Sequence, residues 1–125
     1  MDVQKQIEYW RDGSFEAMQG ADALFEKGLF AFALFFAHLA VEKALKAHVA
    51  KATRDFPPKI HNLVWLAEIA EISLRPEQKD WLRRFNLFQL EGRYADTSQV
   101  PLDRAATEAR LAQAKEMLKW LTAQL

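Results

Sequence analysis

Three polar side chains lie at helical spacing within and just after the most apolar stretch of the chain. Residues 29–41 (LFAFALFFAHLAV) contain twelve apolar side chains and a single histidine. His38, Glu42 and Lys46 are four residues apart, which places them on one face of a helix. A helix that is apolar on all sides must be buried on all sides. These polar groups are therefore either satisfied inside a bundle or line a cleft.

The ionic groups around Glu42 allow two interpretations. Glu42 and Lys46 stand in the favourable order for an i,i+4 ion pair, whereas Lys43 lies about 100° away around the helix. In the structural interpretation, Glu42 and Lys46 form a semi-buried ion pair beside a hydrogen-bonded core histidine, His38. In the functional interpretation, the same groups form a cationic, hydrogen-bonding lining for a nucleotide or for an acidic residue of a partner.

Two later segments carry residues that would complete such a lining. His61 follows a Pro-Pro turn, and a glycine precedes the second segment, which contains Arg93, Tyr94 and Asp96. The guanidinium fork of arginine suits phosphate or carboxylate, and a tyrosine ring can stack on a base. The alternative is a local ion pair between Arg93 and Asp96 that only shapes the connector.

Motifs for metal binding, phosphate-binding loops and nucleophilic catalysis are absent from the sequence. The histidines are His38, His48 and His61; the first two differ by about 80° around their helix, and no HExxH or ExxH pattern occurs. No glycine-rich loop follows a predicted strand, and no Ser-His-Asp or Cys-His set can be placed. We therefore assign no catalytic residue, metal site or cofactor.

Length and composition are typical of a single globular domain, which we expect to span residues 1–125. Seventeen basic and seventeen acidic residues cancel, so nucleic-acid binding would need a local patch. The absence of cysteine excludes disulfide bonds and thiolate metal sites. The first ten residues do not resemble a signal peptide, and the apolar run falls short of the roughly 18 residues of a membrane span. We expect a cytoplasmic protein without membrane contact.

Helical periodicity extends over most of the sequence, which has four glycines and four prolines. The predicted elements are a long helix ending at Gly28, a second helix over about Leu29–Lys51, a short helix from Leu63 behind a His61 or Asn62 cap, a fourth helix from Pro76 to Gly92, and a last helix after an Asp103 cap. The predicted fold is all-α: an antiparallel up-down four-helix bundle with one additional short helix.

Two glycines fall within the first predicted helix. Gly13 and Gly20 are seven residues apart and indicate a close helix contact. A break at residues 12–14, with Ser14 as a new cap, is the alternative. We favour one continuous helix.

Three sequence segments resemble a known family. Residues 36–47 (FAHLAVEKALKA) are close to the FxxxQAxEKxLKA signature of the small prokaryotic HEPN domain (higher eukaryotes and prokaryotes nucleotide-binding). Residues 61–63 (HNL), after a Pro-Pro turn, resemble its P…HdL element, and residues 93–96 (RYAD) resemble its RYPD element. The chain departs from these patterns at Leu39, where the family often has glutamine, and at Ala95, where it often has proline.

The resemblance covers essentially the whole chain and implies a function. It implies a four-helix up-down bundle with an extra short helix that is usually a homodimer. It also implies either binding of nucleotides and nucleic acid or partnership with a minimal nucleotidyltransferase, often as a toxin–antitoxin-like pair. The positions that match the family's motifs are Glu42, Lys43, Lys46, His61, Arg93, Tyr94 and Asp96.

Catalysis is the less favoured expectation. Ribonucleases of the wider superfamily carry an arginine followed four to six residues later by a histidine near the start of a late helix, and this chain has no histidine after His61. We therefore expect a binding module without evident catalytic residues. The alternative is a metal-independent ribonuclease in which Arg93 stabilises the scissile phosphate and His61 or Tyr94 moves protons. A third possibility is a dimerisation scaffold whose polar groups are all structural.

Overall fold

The computed structural model describes residues 1–89 and 102–125, and every regular element in these residues is helical. The helices are α1 (Val3–Glu26), α2 (Phe30–Thr53), α3 (Leu63–Ile69), α4 (Pro76–Phe85) and α5 (Arg104–Thr122). The predicted all-α class is confirmed over these residues. The antiparallel up-down order of four helices stays a prediction.

Helix α2 lies at the centre of the fold and packs against α1, α3 and α5. Fourteen of its 24 residues are buried, and over its second half they cover every side of the helix. The main hydrophobic core combines apolar side chains of α2 with those of α1, α3, α4 and α5. The second half of α2 is enclosed, but the apolar stretch itself is covered only in part: Leu29 is 46% and Phe32 is 50% exposed, so the prediction that residues 29–41 are buried on all sides is wrong.

The turn between α1 and α2 depends on Gly28, whose φ is 77°. The N–H of Gly28 donates to the carbonyl of Phe25 at 2.9 Å, and the N–H of Leu29 donates to the carbonyl of Leu24 at 3.0 Å. This pair of bonds is the Schellman ending of a helix, in which glycine avoids the steric cost of a left-handed backbone. The predicted end of α1 is confirmed.

Two glycines on α1 allow α2 to approach closely. A Cβ atom added to Gly13 would lie 3.2 Å from Cδ of Lys43, and one added to Gly20 would lie 3.1 Å from a ring carbon of Phe36. Helix α1 continues without a break through residues 12–14. The close contact and the continuous helix predicted from the sequence are both confirmed.

Side-chain caps begin α3 and α5 at the predicted positions. The side-chain oxygen of Asn62 accepts hydrogen bonds of 3.0 and 3.2 Å from two first-turn N–H groups of α3. Asn62 is therefore the cap, and His61 is not. Asp103 accepts from the N–H of Ala106 at 2.7 Å and caps α5 in the same way.

A buried histidine links α2 to α5. His48 is 8% exposed, and its Nε2 atom lies 2.8 Å from the carbonyl oxygen of Leu121, to which it donates. Burial lowers the pKa of His48, so the ring is neutral at pH 7. His48 therefore holds the two helices together and takes no part in the candidate site.

Helix α3 ends with the same hydrogen-bond pattern as α1, but Glu71 takes the left-handed position with a φ of 54°. A residue with a Cβ atom pays about 1–2 kcal/mol for this conformation. We expect Glu71→Gly to raise the free energy of unfolding by about 0.5–1 kcal/mol, because the greater chain entropy of glycine offsets part of the gain. Urea denaturation at pH 7 measures the difference. Gly28→Ala is the control and should be destabilising; a Glu71→Gly protein no more stable than wild type would contradict the expectation.

Candidate functional site

The carboxylate of Glu42 is buried at the junction of α2 and the loop before α3. Glu42 is 3% exposed. The ammonium of Lys46 donates to Oε2 at 3.0 Å. The Nδ1 atom of His61 lies 3.2 Å from Oε1 and 3.1 Å from Oε2. The structure thus brings together three of the residues singled out in the sequence, and their role in binding stays a prediction.

Helical spacing and the α3 cap explain this arrangement. Glu42 and Lys46 are one turn apart on α2, so their side chains meet on one face. His61 directly precedes Asn62, whose capping bonds fix the start of α3, and α3 packs on α2. The loop before α3 therefore places the imidazole of His61 against the carboxylate of Glu42, which Lys46 contacts from α2.

Lys46 is an unusual buried cation with two compensating neighbours. The residue is 6% exposed, and its side chain bonds to Glu42. Its ammonium also lies 5.4 Å from the ring centroid of Trp10 on α1, within cation–π range. A buried ammonium needs compensating electrostatic contacts. The carboxylate of Glu42 and the electron-rich face of the Trp10 ring supply them for Lys46.

His38 is neutral at physiological pH. It is 1% exposed, and its ring lies parallel to Phe85 within 7°, with ring centroids 6.4 Å apart. Burial lowers the pKa of His38 to about 4, and this effect outweighs the opposing influence of Glu42 and of the hydrogen bond to Asn86. The 3.7 Å approach of Nδ1 to Glu42 is therefore not an ion pair at pH 7.

The hydrogen bonds of Asn86 determine the tautomer of His38. The N–H of Leu63 donates to Oδ1 of Asn86 at 2.9 Å, which identifies that atom as the oxygen. Nε2 of His38 lies 3.4 Å from the same oxygen, so Nε2 carries the proton. In the neutral ring Nδ1 then has only a lone pair and donates nothing to Glu42. The donors to Glu42 at pH 7 are Lys46 and His61.

Asn86 extends the polar network to α3. Its amide nitrogen donates at 3.3 Å to Oδ1 of Asn62, the oxygen that caps α3. A connected set of polar groups thus joins α2, the end of α4 and the start of α3. Sequence reasoning missed Asn86, because the sequence predicts a fourth helix from Pro76 to Gly92 with Asn86 inside it; α4 instead ends at Phe85, and Asn86 is its C-cap. Its main contacts are also to residues 23 or more positions away in sequence.

His61 presents the reactive edge of this site. Its side chain is 53% exposed, whereas the carboxylate that holds it is 4% exposed. When Nδ1 donates to Glu42, Nε2 is left to accept a proton from, or donate one to, a bound molecule. A buried carboxylate that orients an imidazole is the arrangement used for general acid–base chemistry and for hydrogen-bonded recognition of phosphate.

The remaining predicted residues lie elsewhere. The side chain of Lys43 is directed towards α1, where its Cδ atom is next to Gly13, and it does not contact Glu42. Arg93, Tyr94 and Asp96 fall outside the described residues, so their predicted meeting with Glu42 stays a prediction. Within residues 1–89 and 102–125, no three His, Cys, Asp or Glu side chains are grouped so as to hold a metal ion.

Comparisons with known proteins identify the family. The model of the HEPN domain matches residues 7–124, nearly the whole chain. The chain belongs to the HEPN domain family, as its sequence motifs predicted, and it is therefore a nucleotide- or RNA-related module at the level of that family. A search of curated protein sequences gives no significant match.

A solved structure supports the fold independently. The crystal structure of TT1696 from Thermus thermophilus is similar to this chain with a TM-score of 0.79 and 19% sequence identity. The similarity covers 96% of this chain and 98% of that chain. At this identity the likeness shows the fold alone. None of the helices in the described part of the chain combines the length and apolarity that a bilayer span requires.

The interaction between Glu42 and Lys46 can be tested by removing one charge or both. Glu42→Leu leaves the ammonium of Lys46 buried without its carboxylate, and we expect a loss of about 3–5 kcal/mol in the free energy of unfolding. The double variant Glu42→Leu with Lys46→Leu should recover most of this loss, because no uncompensated charge remains. Urea denaturation of the single and double variants measures the difference.

A surface ion pair provides the control for that experiment. Asp80→Leu removes the exposed carboxylate that pairs with Arg83 and Arg84, and it should change stability far less. A double variant of Glu42 and Lys46 as unstable as Glu42→Leu alone would show that the buried charge is not the cause.

The depressed pKa of His38 predicts a pH dependence of stability. The unfolded chain binds a proton near the ordinary pKa of 6.5, whereas the folded protein binds one at His38 only near 4. The unfolded state therefore binds more protons in this window, and stability falls as the pH is lowered through it. From pH 7 to pH 5 the contribution of His38 is about 2 kcal/mol. Urea denaturation at both pH values should show that the free energy of unfolding falls less for His38→Gln than for wild type. An equal fall in the two proteins would contradict the lowered pKa of His38.

Proposed function

We propose that this HEPN chain binds a nucleotide or RNA phosphate at a surface that includes the imidazole of His61. The observation that carries the proposal is the half-exposed ring held through Nδ1 by a buried carboxylate. Glu42 fixes the direction of the ring, so Nε2 is preorganised to contact a ligand. Lys46 balances the charge of Glu42 from within the bundle.

The matching positions in the later motif would complete this surface. Arg93 supplies a fork for phosphate, Tyr94 supplies a ring for stacking, and Asp96 orients the arginine. Their position after a glycine in the family-like RYAD segment supports this part of the proposal. Lys43 does not contact Glu42, so any contact that it makes with the ligand would be on the side of α2 that faces α1.

The partner and the assembly are also proposals. Membership of the HEPN family and the EK-x-LKA, HNL and RYAD segments support partnership with a minimal nucleotidyltransferase in a toxin–antitoxin-like pair. We propose that the chain acts in the cytoplasm as a homodimer with the antiparallel up-down order of four helices. The equal numbers of basic and acidic residues favour a local contact over a general attraction to nucleic acid.

Direct binding measurements test the proposal. Wild-type protein, His61→Gln and Arg93→Ala are titrated with ATP, GTP and short single-stranded RNA by calorimetry. We expect each substitution to weaken binding at least tenfold. Lys59→Gln is the control, because Lys59 is an exposed cation two residues from His61 in the same loop and should matter little. Binding by wild type no tighter than by either site variant would contradict the proposal.

A pull-down with a minimal nucleotidyltransferase from the same organism tests the partnership. Co-purification in a defined stoichiometry, weakened by Arg93→Ala, is the expected result. A partner that fails to co-purify with wild-type protein, while nucleotide binding is normal, would remove the partnership and leave the ligand-binding function.

One observation favours a second candidate function, a metal-independent ribonuclease. Glu42 and His61 form the carboxylate–imidazole pair that orients a general base in many hydrolases. In such a reaction Nε2 of His61 would remove the proton of a ribose 2′-hydroxyl, whose oxygen attacks the adjacent phosphate, and Arg93 would stabilise the developing charge. A protonated group, Tyr94 in our assignment, would return a proton to the departing 5′-oxygen.

Cleavage assays with end-labelled RNA in EDTA distinguish this candidate. A ribonuclease of this kind should lose about a hundredfold or more of its rate in both His61→Ala and Arg93→Ala, because proton transfer and charge stabilisation are each lost. Glu42→Gln should lower the rate less. Cleavage that persists in both alanine variants would indicate a contaminant, and absence of cleavage in wild type would leave the binding function alone.

A further inference from the structure

A surface hollow of about 450 Å³ lies between α3 and α4, next to the polar network. Asn62 and Asn86 form part of its wall, Trp65 lines it from α3, and Lys79 and Arg83 line it from α4. Its volume is in the range of small-ligand sites. Asn62 is the residue after His61, so the hollow is beside the loop that carries the exposed imidazole.

The wall of the hollow has unused hydrogen-bond donors. The oxygen of Asn62 accepts from two backbone N–H groups and from the amide nitrogen of Asn86, which fixes the orientation of its amide group. The Nδ2 atom of Asn62 has no hydrogen-bond partner within residues 1–89 and 102–125. Nδ2 of Asn86 uses one of its two hydrogens. Three amide hydrogens of the wall residues thus have no partner among the described residues.

The rim on α4 carries a small excess of positive charge. Asp80 pairs with both Arg83 and Arg84, and these hydrogen bonds lower the pKa of its carboxyl group, which is ionised at pH 7. Lys79 pairs with Glu68 at 3.7 Å. Among the residues that line the hollow, Lys79 and Arg83 are cations and Asp80 is a carboxylate, a local net charge of about +1. The side chain of Arg83 is 69% exposed and still has donors to offer an anion.

Trp65 supplies an aromatic surface at the same place. The residue is 58% exposed, although an indole ring is among the most favourable groups to bury. A tryptophan beside cationic and amide donors is the combination that binds a flat, acceptor-rich ring attached to an anion. Nucleotides have both parts.

We propose that this hollow is a binding subsite for one unpaired nucleotide of single-stranded RNA. The base stacks on Trp65, the amide hydrogens of Asn62 and Asn86 contact its acceptor atoms, and the phosphate is held by Arg83 and Lys79. The subsite rests on the proposed RNA-binding function and extends it, since Asn62 on the wall of the hollow directly follows His61. An acidic segment of a protein partner is the competing occupant.

Fluorescence anisotropy with a labelled six-nucleotide single-stranded RNA tests the subsite. Trp65→Leu should weaken binding at least about fivefold, as expected when one base loses its stacking partner. Arg83→Gln should weaken binding severalfold and reduce the salt dependence by about one phosphate contact. Arg84→Gln is the matched control: Arg84 is on the same helix and pairs with the same Asp80, but it does not line the hollow.

The outcomes separate this subsite from the function on which it rests. If RNA binds wild type, and His61→Gln weakens it while Trp65→Leu and Arg83→Gln do not, the subsite is wrong and the binding function stands. Equal losses in Arg83→Gln and Arg84→Gln would show a general charge effect and also overturn the subsite. If wild type binds no RNA, the subsite is wrong, and the binding function fails with it only when ATP and GTP do not bind either. Circular dichroism and urea denaturation of each variant confirm that the fold is intact.

Discussion

The structure depends on keeping one negative charge inside an apolar helical core. An ionised carboxylate loses several kcal/mol of solvation when it is buried, so Glu42 requires donors from more than one direction. Lys46 provides a donor from the next turn of α2, and Trp10 shields that cation from α1. His61 provides the second donor and must be brought by the loop before α3. The position of that loop is thus a consequence of the buried charge.

A second consequence concerns the neutral ring beside the carboxylate. Because burial keeps His38 neutral and Asn86 holds the proton on Nε2, His38 does not compete with His61 for Glu42. The hydrogen bonds of Asn86 continue to the cap of α3 and so connect three helices. The bundle therefore contains a polar network whose charged part is buried and whose exposed end is an oriented imidazole. The buried groups hold the ring of His61 in one orientation, and its exposed edge remains free to contact a ligand. A preorganised binding site needs both.

Much of this arrangement follows from local patterns in the sequence. The i,i+4 spacing on a long apolar helix predicts that its polar groups share a face, and the glycine and asparagine signals predict the ends of α1 and the start of α3. Helical spacing places Lys43 about 100° from Glu42, and in the structure its side chain lies against α1; only the resemblance to the family motif groups Lys43 with the site. Asn86 and the hollow depend on contacts between distant residues, for which the sequence offers no periodic signal. Chain reversal by a Pro-Pro turn brings His61 near α2, but only the coordinates show that it meets Glu42.

The central claim, that Glu42 holds the ring of His61 through Nδ1, is tested most directly by nuclear magnetic resonance of the imidazole nitrogens. In protein labelled with nitrogen-15 at pH 8, long-range correlation spectra distinguish the two neutral tautomers. We predict that His61 is protonated at Nδ1 and that His38 is protonated at Nε2. In Glu42→Gln, we predict that His61 changes to the Nε2–H form preferred by an unrestrained histidine. An Nε2–H tautomer of His61 in the wild-type protein would contradict the account.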